Sequence, residues 1–335
     1  MGANGVCMRV EDKIWTERFR PDTLDDIIGH EETINRLKKF AEDGDTPHLL
    51  LHGPPGTGKT ATSQALAKDV YGDDWQANFI SKNASDQRGI DEVRNEIKPL
   101  AQQSASHGYD KKYIFLDEFE QMTKDAQAAL RRIMEQYSDQ TVFILSCNWI
   151  NQIISPIQSR CTVLPFNRLS DDEIVELLTR VLEHEDVEYE ENAVRSIVNY
   201  SDGDARKAIQ TLQTSVQDGE LSEEMITVMG SQVSDETVEQ LISKCFNGQM
   251  EEAHEMVVTE ILPNVTDYSR FTNTLMKKIQ YSDELPRDVR FYALSQIGDL
   301  ERNIMKGANP HTQIVAYLSK LPSIRYASIP NYSEE

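Results

Sequence analysis

The sequence holds few of the residues that mark secreted, metal-bound or membrane proteins. Its 335 residues include four cysteines, and no two of them form a C-x-x-C pair, which argues against a disulfide framework or a zinc site. No apolar run approaches the roughly 18 residues that a membrane-spanning helix needs. The first residues, MGANGVCM, have neither the basic nor the apolar stretch of a signal peptide. We therefore expect a cytoplasmic protein, or a nuclear one in a eukaryote, with no membrane partner.

Basic residues are also scarce, since 34 lysines and arginines stand against 56 aspartates and glutamates, for a net charge of −22. Such a charge by itself opposes binding to nucleic acid. The imbalance is uneven, because residues 167–262 hold 23 acids and 6 bases, whereas residues 263–335 hold 8 acids and 9 bases. The composition therefore leaves room for a local basic face elsewhere in the chain.

Short apolar runs alternate with helical patterns in the first 166 residues. This alternation is typical of a parallel sheet with helices on both faces. Helical periodicity is clearest at 59–70 and 124–137. The predicted strands lie at 48–53, 77–85, 113–118, 141–148 and 161–166.

Strand patterns stop after residue 166, and the rest of the chain has the periodicity of helices with short connections. We predict three domains: a nucleotide-binding domain at 1–166, a small helical lid at 167–232 and an all-α domain at 233–335. The predicted helices are 171–185, 190–200, 204–216, 234–246, 250–260, 267–279, 287–305 and 310–319.

The segment GPPGTGKT at 53–60 follows a predicted strand and begins a predicted helix. It matches G-x-x-x-x-G-K-[ST], in which backbone N–H groups and a helix N-terminus surround phosphate oxygens. We expect Lys59 to reach the β and γ phosphates and the Thr60 hydroxyl to ligate Mg²⁺. The predicted loop contacts are Gly53, Pro54, Pro55, Gly56, Thr57, Gly58, Lys59, Thr60 and Ala61.

Two carboxylates, Asp117 and Glu118, end the apolar run YIFL. At the carboxyl edge of a parallel sheet they would lie beside the phosphate loop. We predict Asp117 as a ligand of Mg²⁺ and Glu118 as the base, or water-orienting group, for attack on the γ-phosphate. Asn148, which follows the next predicted strand, would also face that phosphate. The alternative for the two acids is an exposed charge pair without a metal.

These motifs, in this order, resemble the layout of AAA+ ATPases, and the segments around them resemble replication factor C small subunits of the archaeal or archaeal-virus type. The likeness covers roughly residues 9–335. The segments that carry it are WTERFRPDTLDDIIGHEE (15–32), NASDQRGIDEVRNEI (83–97), DAQAALRRIMEQYS (125–138), IQSRC (157–161) and GDARKAIQTLQ (203–213).

The resemblance implies an α/β AAA+ domain followed by a helical lid and an all-α collar. It implies ATP and Mg²⁺ as cofactors. It also implies a heteropentamer whose partners include other small subunits, a large subunit, a sliding clamp and primer–template DNA. In such an assembly, ATP binding and hydrolysis between subunits would drive the loading of the clamp.

The resemblance also assigns roles to single residues. Arg160 would be an arginine finger that enters the nucleotide site of the adjacent subunit, and Arg206 would contact the γ-phosphate from the lid of its own chain. Trp15 and Phe19 are expected either to pack or to bind. The predicted base and ribose contacts are Arg9, Val10, Arg20, Pro21, Ile28 and Gly29.

Two surfaces are implied in the same way. Cations on the helix 124–137, or at or just before predicted helix starts, would meet the phosphates of duplex DNA, with pairing to neighbouring acids as the alternative. Apolar side chains near 90–109 would face the clamp, with core packing as the alternative for Ile97. The residues are Arg88, Lys124, Arg131 and Arg132 for DNA, and Ile97, Leu100 and Tyr109 for the clamp.

One stretch departs from the family pattern, because the usual Asp-Glu-Ala-Asp is here Asp117-Glu118-Phe119-Glu120. The two acids assigned to catalysis remain, so hydrolysis is still expected. Two rival functions are another AAA+ DNA motor, such as a branch-migration helicase, and a scaffold that binds nucleotide without hydrolysing it. The acids, Asn148 and Arg206 favour hydrolysis over the scaffold.

Overall fold

The computed structural model describes residues 14–85, 89–222, 233, 235–263, 265, 268–282 and 285–321. The chain divides into two compact units, Met1–Ile226 and Thr227–Glu335. The predicted domain boundary at 232/233 lies six residues beyond this division, and the one at 166/167 lies inside the first unit.

The first unit is built on a five-stranded parallel sheet, which confirms the predicted α/β class. Its order is β2-β3-β4-β1-β5, so β1 lies between β4 and β5. Parallel strands of one sheet bring their carboxyl ends to the same edge. The strands are β1 Leu49–His52, β2 Phe79–Asn83, β3 Lys112–Asp117, β4 Thr141–Cys147 and β5 Thr162–Pro165.

Helices cover both faces of this sheet and form the lid. A π-helical turn, Val93–Ile97, joins α5 to α6, and short 3-10 turns occupy Leu24–Asp26, Gly72–Asp74, Phe119–Gln121 and Ile150–Gln152. The α-helices are α1 Trp15–Arg18, α2 Glu31–Asp43, α3 Lys59–Tyr71, α4 Trp75–Asn78, α5 Ile90–Glu92, α6 Lys98–Gln102, α7 Lys124–Gln136, α8 Ser155–Gln158, α9 Asp171–His184, α10 Glu191–Ser201 and α11 Ala205–Ser215.

Alternate residues of each strand belong to opposite cores, as the two-residue period of a strand requires. Ile114 and Leu116 of β3 lie in the same core cluster as α7, whereas Phe115 lies with α3 on the other face. The buried face of α7 contains Ala126, Leu130, Ile133 and Met134, and Tyr137 is buried just after the last helical residue.

The lid helices α9, α10 and α11 have a core of their own, which includes Ile174, Leu178 and Leu212. Trp15 and Phe19 pack against this core, and Phe19 also lines the cavity described below. Two short strands in the lid, Glu188–Tyr189 and Glu220–Leu221, pair in parallel. The sequence predicts no strand there, because two residues are too few to show an alternating pattern.

The second unit is helical in its described residues, as predicted. Its core contains Leu241, Leu275, Ala293 and Ile314, among others, each fully buried. No helix of the described residues, in either unit, is long and apolar enough to cross a membrane. The helices are α12 Asp235–Phe246, α13 Met250–Met256, which continues into a π-helical turn at Val257–Ile261, α14 Tyr268–Gln280, α15 Arg287–Met305 and α16 Pro310–Leu318.

Candidate nucleotide site

The phosphate loop connects β1 to α3, as the sequence predicts. At two of its positions only glycine fits. A Cβ on Gly53 would lie 1.8 Å from the Phe166 carbonyl oxygen, and one on Gly56 would lie 1.9 Å from the Asp204 carboxylate. Gly56 also has φ +74°, in the left-handed region that side chains disfavour. The loop is therefore held between β5 and the lid.

Lys59 is buried in the mouth of this loop, with 7% of its surface exposed. Its Nζ donates to the carbonyl oxygens of Gly53 and Pro54, both at 2.7 Å, and to Asn148 Oδ1 at 3.2 Å. Burial lowers the pKa of Lys59, while the nearby Asp117 carboxylate opposes that shift. The loop thus holds a cation whose three donors have acceptors that phosphate oxygens can replace.

Thr60 and Asp117 meet at the carboxyl edge of the sheet, where the Thr60 hydroxyl donates to Asp117 Oδ2 at 2.9 Å. A hydroxyl and a carboxylate side by side form the hard-oxygen set that suits Mg²⁺. Glu118 follows with a left-handed backbone, φ 51°, and its exposed side chain lines the same cavity. The predicted metal and base residues therefore come together.

The cavity around these side chains has a volume of about 490 Å³. It is lined by most of the predicted contacts: Arg20, Pro21, Ile28, Pro55, Gly56, Thr57, Gly58, Lys59, Thr60, Ala61, Asp117, Glu118, Asn148 and Arg206. Gly53 and Pro54 lie behind the wall, where their carbonyls hold Lys59. Gly29 packs against Leu169 and Glu173 of the lid instead. Arg9 and Val10 lie outside the described residues.

Helix α9 of the lid forms a wall that the sequence analysis missed. Leu177, Arg180, Val181 and His184 line the cavity at helical spacing. The sequence shows the 3.6-residue period of this helix, but the period does not indicate which face of a lid helix contacts a ligand. His184 lies edge-on to Phe19, with ring centroids 5.1 Å apart. The described wall opposite the phosphate loop is therefore partly aromatic.

The N-terminal segment ties the lid to the nucleotide domain. The Arg18 guanidinium pairs with Glu185 at 2.8 Å, and Arg180 Nη1 donates to the Asp26 carbonyl oxygen at 3.0 Å. Arg20 Nη1 donates to Gln64 Oε1 on α3 at 2.8 Å. The N-terminal segment is thus bonded both to the lid and to α3, and its side chains lie between the lid and the phosphate loop.

Arg206 lies at the start of α11, where the lid touches the phosphate loop. The Ala205 N–H donates to the Gly56 carbonyl oxygen at 3.0 Å. The Arg206 side chain is exposed and lines the cavity, and its charge adds to the lowering of the Lys59 pKa by burial. The geometry brings a second cation to the phosphate end of the cavity.

Arg160 lies elsewhere, in the exposed turn after α8. Its Nη1 donates to the Pro156 carbonyl oxygen at 2.8 Å, and its Nη2 forms an ion pair with Glu135 of α7. The cavity of its own chain is lined by other described residues. That position suits a side chain that acts outside its own subunit.

The cations of α7 are placed unequally. Lys124 and Arg132 are exposed and Arg131 is half-buried, whereas Arg88 lies outside the described residues. Gln127, four residues before Arg131 on the same helix, is 1% exposed. Its side chain bonds the Met122 and Gln152 carbonyl oxygens and the Ile154 N–H. The buried Gln127 amide therefore satisfies backbone groups of the loops at both ends of these contacts, and it is not available to bind DNA.

The predicted clamp surface needs one correction. Ile97 is fully buried in the core cluster of α7, so it cannot anchor a partner on the surface. Leu100 is half-buried at the edge of that cluster. Tyr109 is half-buried, with its ring 5.0 Å from that of Tyr71 and its hydroxyl donating to the Tyr71 carbonyl oxygen at 3.1 Å.

The bulky Phe119 points away from the site. It is fully buried in the same core cluster as Leu116, Met122 and Leu130. The large ring is therefore a core residue, placed there by the turn that follows Glu118, and it leaves the cavity open.

Family models and related proteins match most of the chain. The family model described as "ATPase family associated with various cellular activities (AAA)" matches residues 49–168, and the replication factor C C-terminal domain matches residues 233–320. The chain is 42% identical to the replication factor C small subunit of Natronomonas pharaonis over 92% of this chain and 95% of that protein. It is 39% identical to the one of Archaeoglobus fulgidus over 93% and 98%.

Among solved structures, the RuvB Holliday junction branch migration motor of Thermotoga maritima is similar, with a TM-score of 0.55 and 19% identity. The match covers 73% of this chain and 89% of that one. At this identity the likeness supports the fold alone.

Proposed function

The chain belongs to the replication factor C small-subunit family, and on that premise we propose that it is an ATP-hydrolysing subunit of a DNA sliding-clamp loader. One observation carries the hydrolytic part of this proposal. Lys59, Thr60, Asp117, Glu118 and Asn148 line one cavity at the carboxyl edge of the sheet. Cation, hydroxyl, carboxylates and amide are the groups that phosphoryl transfer to water requires.

The phosphates of ATP would lie against the loop 53–58 and the start of α3. The Lys59 ammonium would exchange its carbonyl partners for β- and γ-phosphate oxygens. Thr60 and Asp117 would hold Mg²⁺, which when bound neutralises charge on the phosphates. The remaining steps are performed by side chains of the chain and of its neighbour.

Glu118 would orient and deprotonate the attacking water, since its exposed carboxylate faces the cavity beside Asp117. The Asn148 side chain, held by Lys59, would position the same water at the γ-phosphate. Arg206 would approach that phosphate from the lid of its own chain, where it lines the cavity.

Arg160 would supply a guanidinium to the nucleotide of the adjacent subunit. Charge grows on the transferred phosphoryl oxygens, and a guanidinium stabilises it bidentately. The exposed turn after α8 is a surface from which a neighbour can be reached. Hydrolysis would then depend on assembly, which is the property a loading machine needs.

The base and ribose would occupy the part of the cavity between the N-terminal segment and α9. Arg20, Pro21 and Ile28 line it from one side, and Val181 and His184 from the other. Arg9 and Val10 remain proposed contacts. Gly29 instead allows the lid to approach, because a Cβ there would lie 2.7 Å from side-chain atoms of Leu169 and Glu173.

We propose that the partners are further small subunits, a large subunit, a sliding clamp and primer–template DNA, in a heteropentamer. Lys124, Arg131, Arg132 and Arg88 would contact DNA phosphates, which confers affinity for duplex shape without base recognition. Leu100 and Tyr109 remain proposed for the clamp surface.

The test is ATP turnover by the assembled complex, measured alone, with clamp, with primed DNA and with both. The proposal requires turnover that rises when clamp and primed DNA are added together. Turnover stimulated by four-way junctions but not by clamp would favour a branch-migration motor. Tight ATP binding without turnover under every condition would favour a scaffold.

A further inference from the structure

Glu120 is a buried acid that the proposed reaction does not use. It lies in the turn Phe119–Gln121, two residues after Glu118, and 8% of its surface is exposed. Its Oε1 accepts a hydrogen bond from the Asn148 backbone N–H at 3.1 Å. Its Oε2 is buried and has no hydrogen-bond partner among the described residues.

A carboxylate in this state lowers the stability of a fold. Burial removes water from both oxygens, and only one oxygen gains a partner in return. An apolar side chain of similar size would avoid that loss. A role in packing alone therefore does not account for an acid at this position.

The carboxylate lies close to the phosphate end of the cavity. Its charge opposes the lowering of the Lys59 pKa, and it adds to the effect of burial that raises the pKa of Cys147 to about 12. Cys147 is the last residue of β4, so Asn148 is the first residue beyond the strand. The hydrogen bonds between strands end at this point, and the Asn148 N–H donates to Glu120 rather than to a neighbouring strand.

Both the backbone and the side chain of Asn148 are therefore held by hydrogen bonds. Its backbone N–H is fixed by Glu120 and its side-chain Oδ1 accepts from Lys59 Nζ at 3.2 Å. When phosphate oxygens replace the contacts of Lys59, the side-chain restraint is weakened and the backbone restraint remains.

We propose that Glu120 is a positioning residue for hydrolysis, which fixes the backbone of Asn148 so that the Asn148 amide faces the attacking water. The inference rests on the proposed function, and it adds a third role to the segment Asp117–Glu120. Metal ligand, base and positioning acid then follow one another in a single strand-to-turn segment, with Phe119 anchoring that turn in the core.

Two nearly isosteric substitutions of Glu120 separate the effect of its hydrogen bond to Asn148 from the effect of its side-chain volume. Glu120→Gln keeps an oxygen that can accept from Asn148, whereas Glu120→Met fills the space without an acceptor. In the assembled complex with primed DNA, we expect Glu120→Met to lower kcat at least tenfold with the Kd for ATP changed less than twofold. Glu120→Gln should stay within about threefold of wild-type kcat. The matched control is Gln121→Ala, an exposed position of the same turn, which should leave both quantities unchanged.

A double-mutant cycle tests whether Glu120 acts through Asn148. In an Asn148→Ala background, Glu120→Met should lower kcat less than twofold further. The nucleotide-free chain gives an independent readout, since the Asn148 amide proton should exchange with solvent at least tenfold faster in Glu120→Met than in wild type or Glu120→Gln. If Glu120→Met does not fold, Glu120→Leu provides the same comparison.

Three results would each overturn the inference. They are a wild-type kcat in Glu120→Met, a loss of kcat in the double mutant that equals the product of the two single losses, and an Asn148 amide proton that exchanges at the wild-type rate in Glu120→Met. A wild-type complex without ATP turnover would instead overturn the proposed function. The two failures are therefore distinguished by the wild-type measurement alone.

Discussion

Arg160 and Glu135 form an ion pair that links the turn after α8 to α7, the helix that carries the proposed DNA contacts. The two side chains are 34% and 41% exposed. An ion pair this accessible to solvent contributes at most about 1 kcal/mol. The guanidinium is therefore held in place but can leave Glu135 for a phosphate of a neighbouring subunit.

Replacing Arg160 with Ala should abolish most of the DNA-stimulated turnover of the complex while the Kd for ATP stays within about threefold. A trans-acting guanidinium contributes roughly 10³-fold or more to phosphoryl transfer, so we expect at least a hundredfold loss of kcat. Glu135→Gln is the matched control and should change kcat less than about fivefold, since it removes only the weak pair. Stimulated turnover at the wild-type rate in Arg160→Ala would show that the finger is another residue.

Glu118→Gln should trap ATP without hydrolysing it. The amide keeps the shape of the side chain but cannot accept a proton, and general-base catalysis typically contributes 10²–10⁴-fold. Single-turnover hydrolysis should fall at least a hundredfold, with ATP binding retained. The control is Glu32→Gln on the exposed face of α2, and normal turnover in Glu118→Gln would contradict the assignment.

Gly56→Ala should separate the lid from the phosphate loop. The new methyl group would lie 1.9 Å from Asp204, the N-cap of α11, so lid and loop must move apart. Gly44→Ala is a close control, because Gly44 has φ +67° with no atom within 4 Å of an added Cβ. Both variants should lose about 1 kcal/mol of stability to the left-handed backbone, but only Gly56→Ala should weaken ATP binding, by at least tenfold in a titration. Equal ATP affinities would show that the lid contact is dispensable.

Phe119→Ala should be a stability variant rather than a catalytic one. Removing a fully buried phenyl ring from a core costs about 3–5 kcal/mol, which urea unfolding will detect. At a temperature where the variant is folded, ATP should still bind, since the ring lies outside the described cavity lining. Phe291→Ala, at a position that is 62% exposed, should cost less than about 0.5 kcal/mol. A Phe119→Ala protein of wild-type stability would contradict the core placement.

His48 should make the fold less stable in mild acid. Its Nδ1 accepts from the Phe143 N–H at 3.0 Å, which requires the neutral ring, and burial lowers its pKa below the ordinary 6.5. The unfolded chain therefore binds the proton first, so this contribution to stability is complete above about pH 6.5 and declines as the pH falls toward the folded-state pKa. His48→Asn should show a smaller loss of the urea midpoint between pH 7.5 and 5.0 than wild type. Identical losses would rule His48 out as the source.

Much of the architecture was predictable because it depends on local patterns. The strands β1 to β5 were found from short apolar runs, and α3 and α7 from a 3.6-residue period, since these periods directly report which way side chains point. The phosphate loop was predictable for the same reason, because its glycines, Lys59 and Thr60 are consecutive and their geometry follows from one strand-turn-helix unit.

Tertiary structure alone decided how distant polar groups are paired. The Glu120 carboxylate meets the Asn148 N–H 28 residues away, and Gln127 meets Ile154 across 27 residues. Neither pair leaves a periodic trace in the chain. Burial of Ile97 and the wall that α9 gives the cavity were likewise settled by packing between elements. The elements and the chemistry of the phosphate loop thus follow from local sequence. Which buried backbone groups need partners depends on the fold, because a buried group needs a partner only once water has been removed from it.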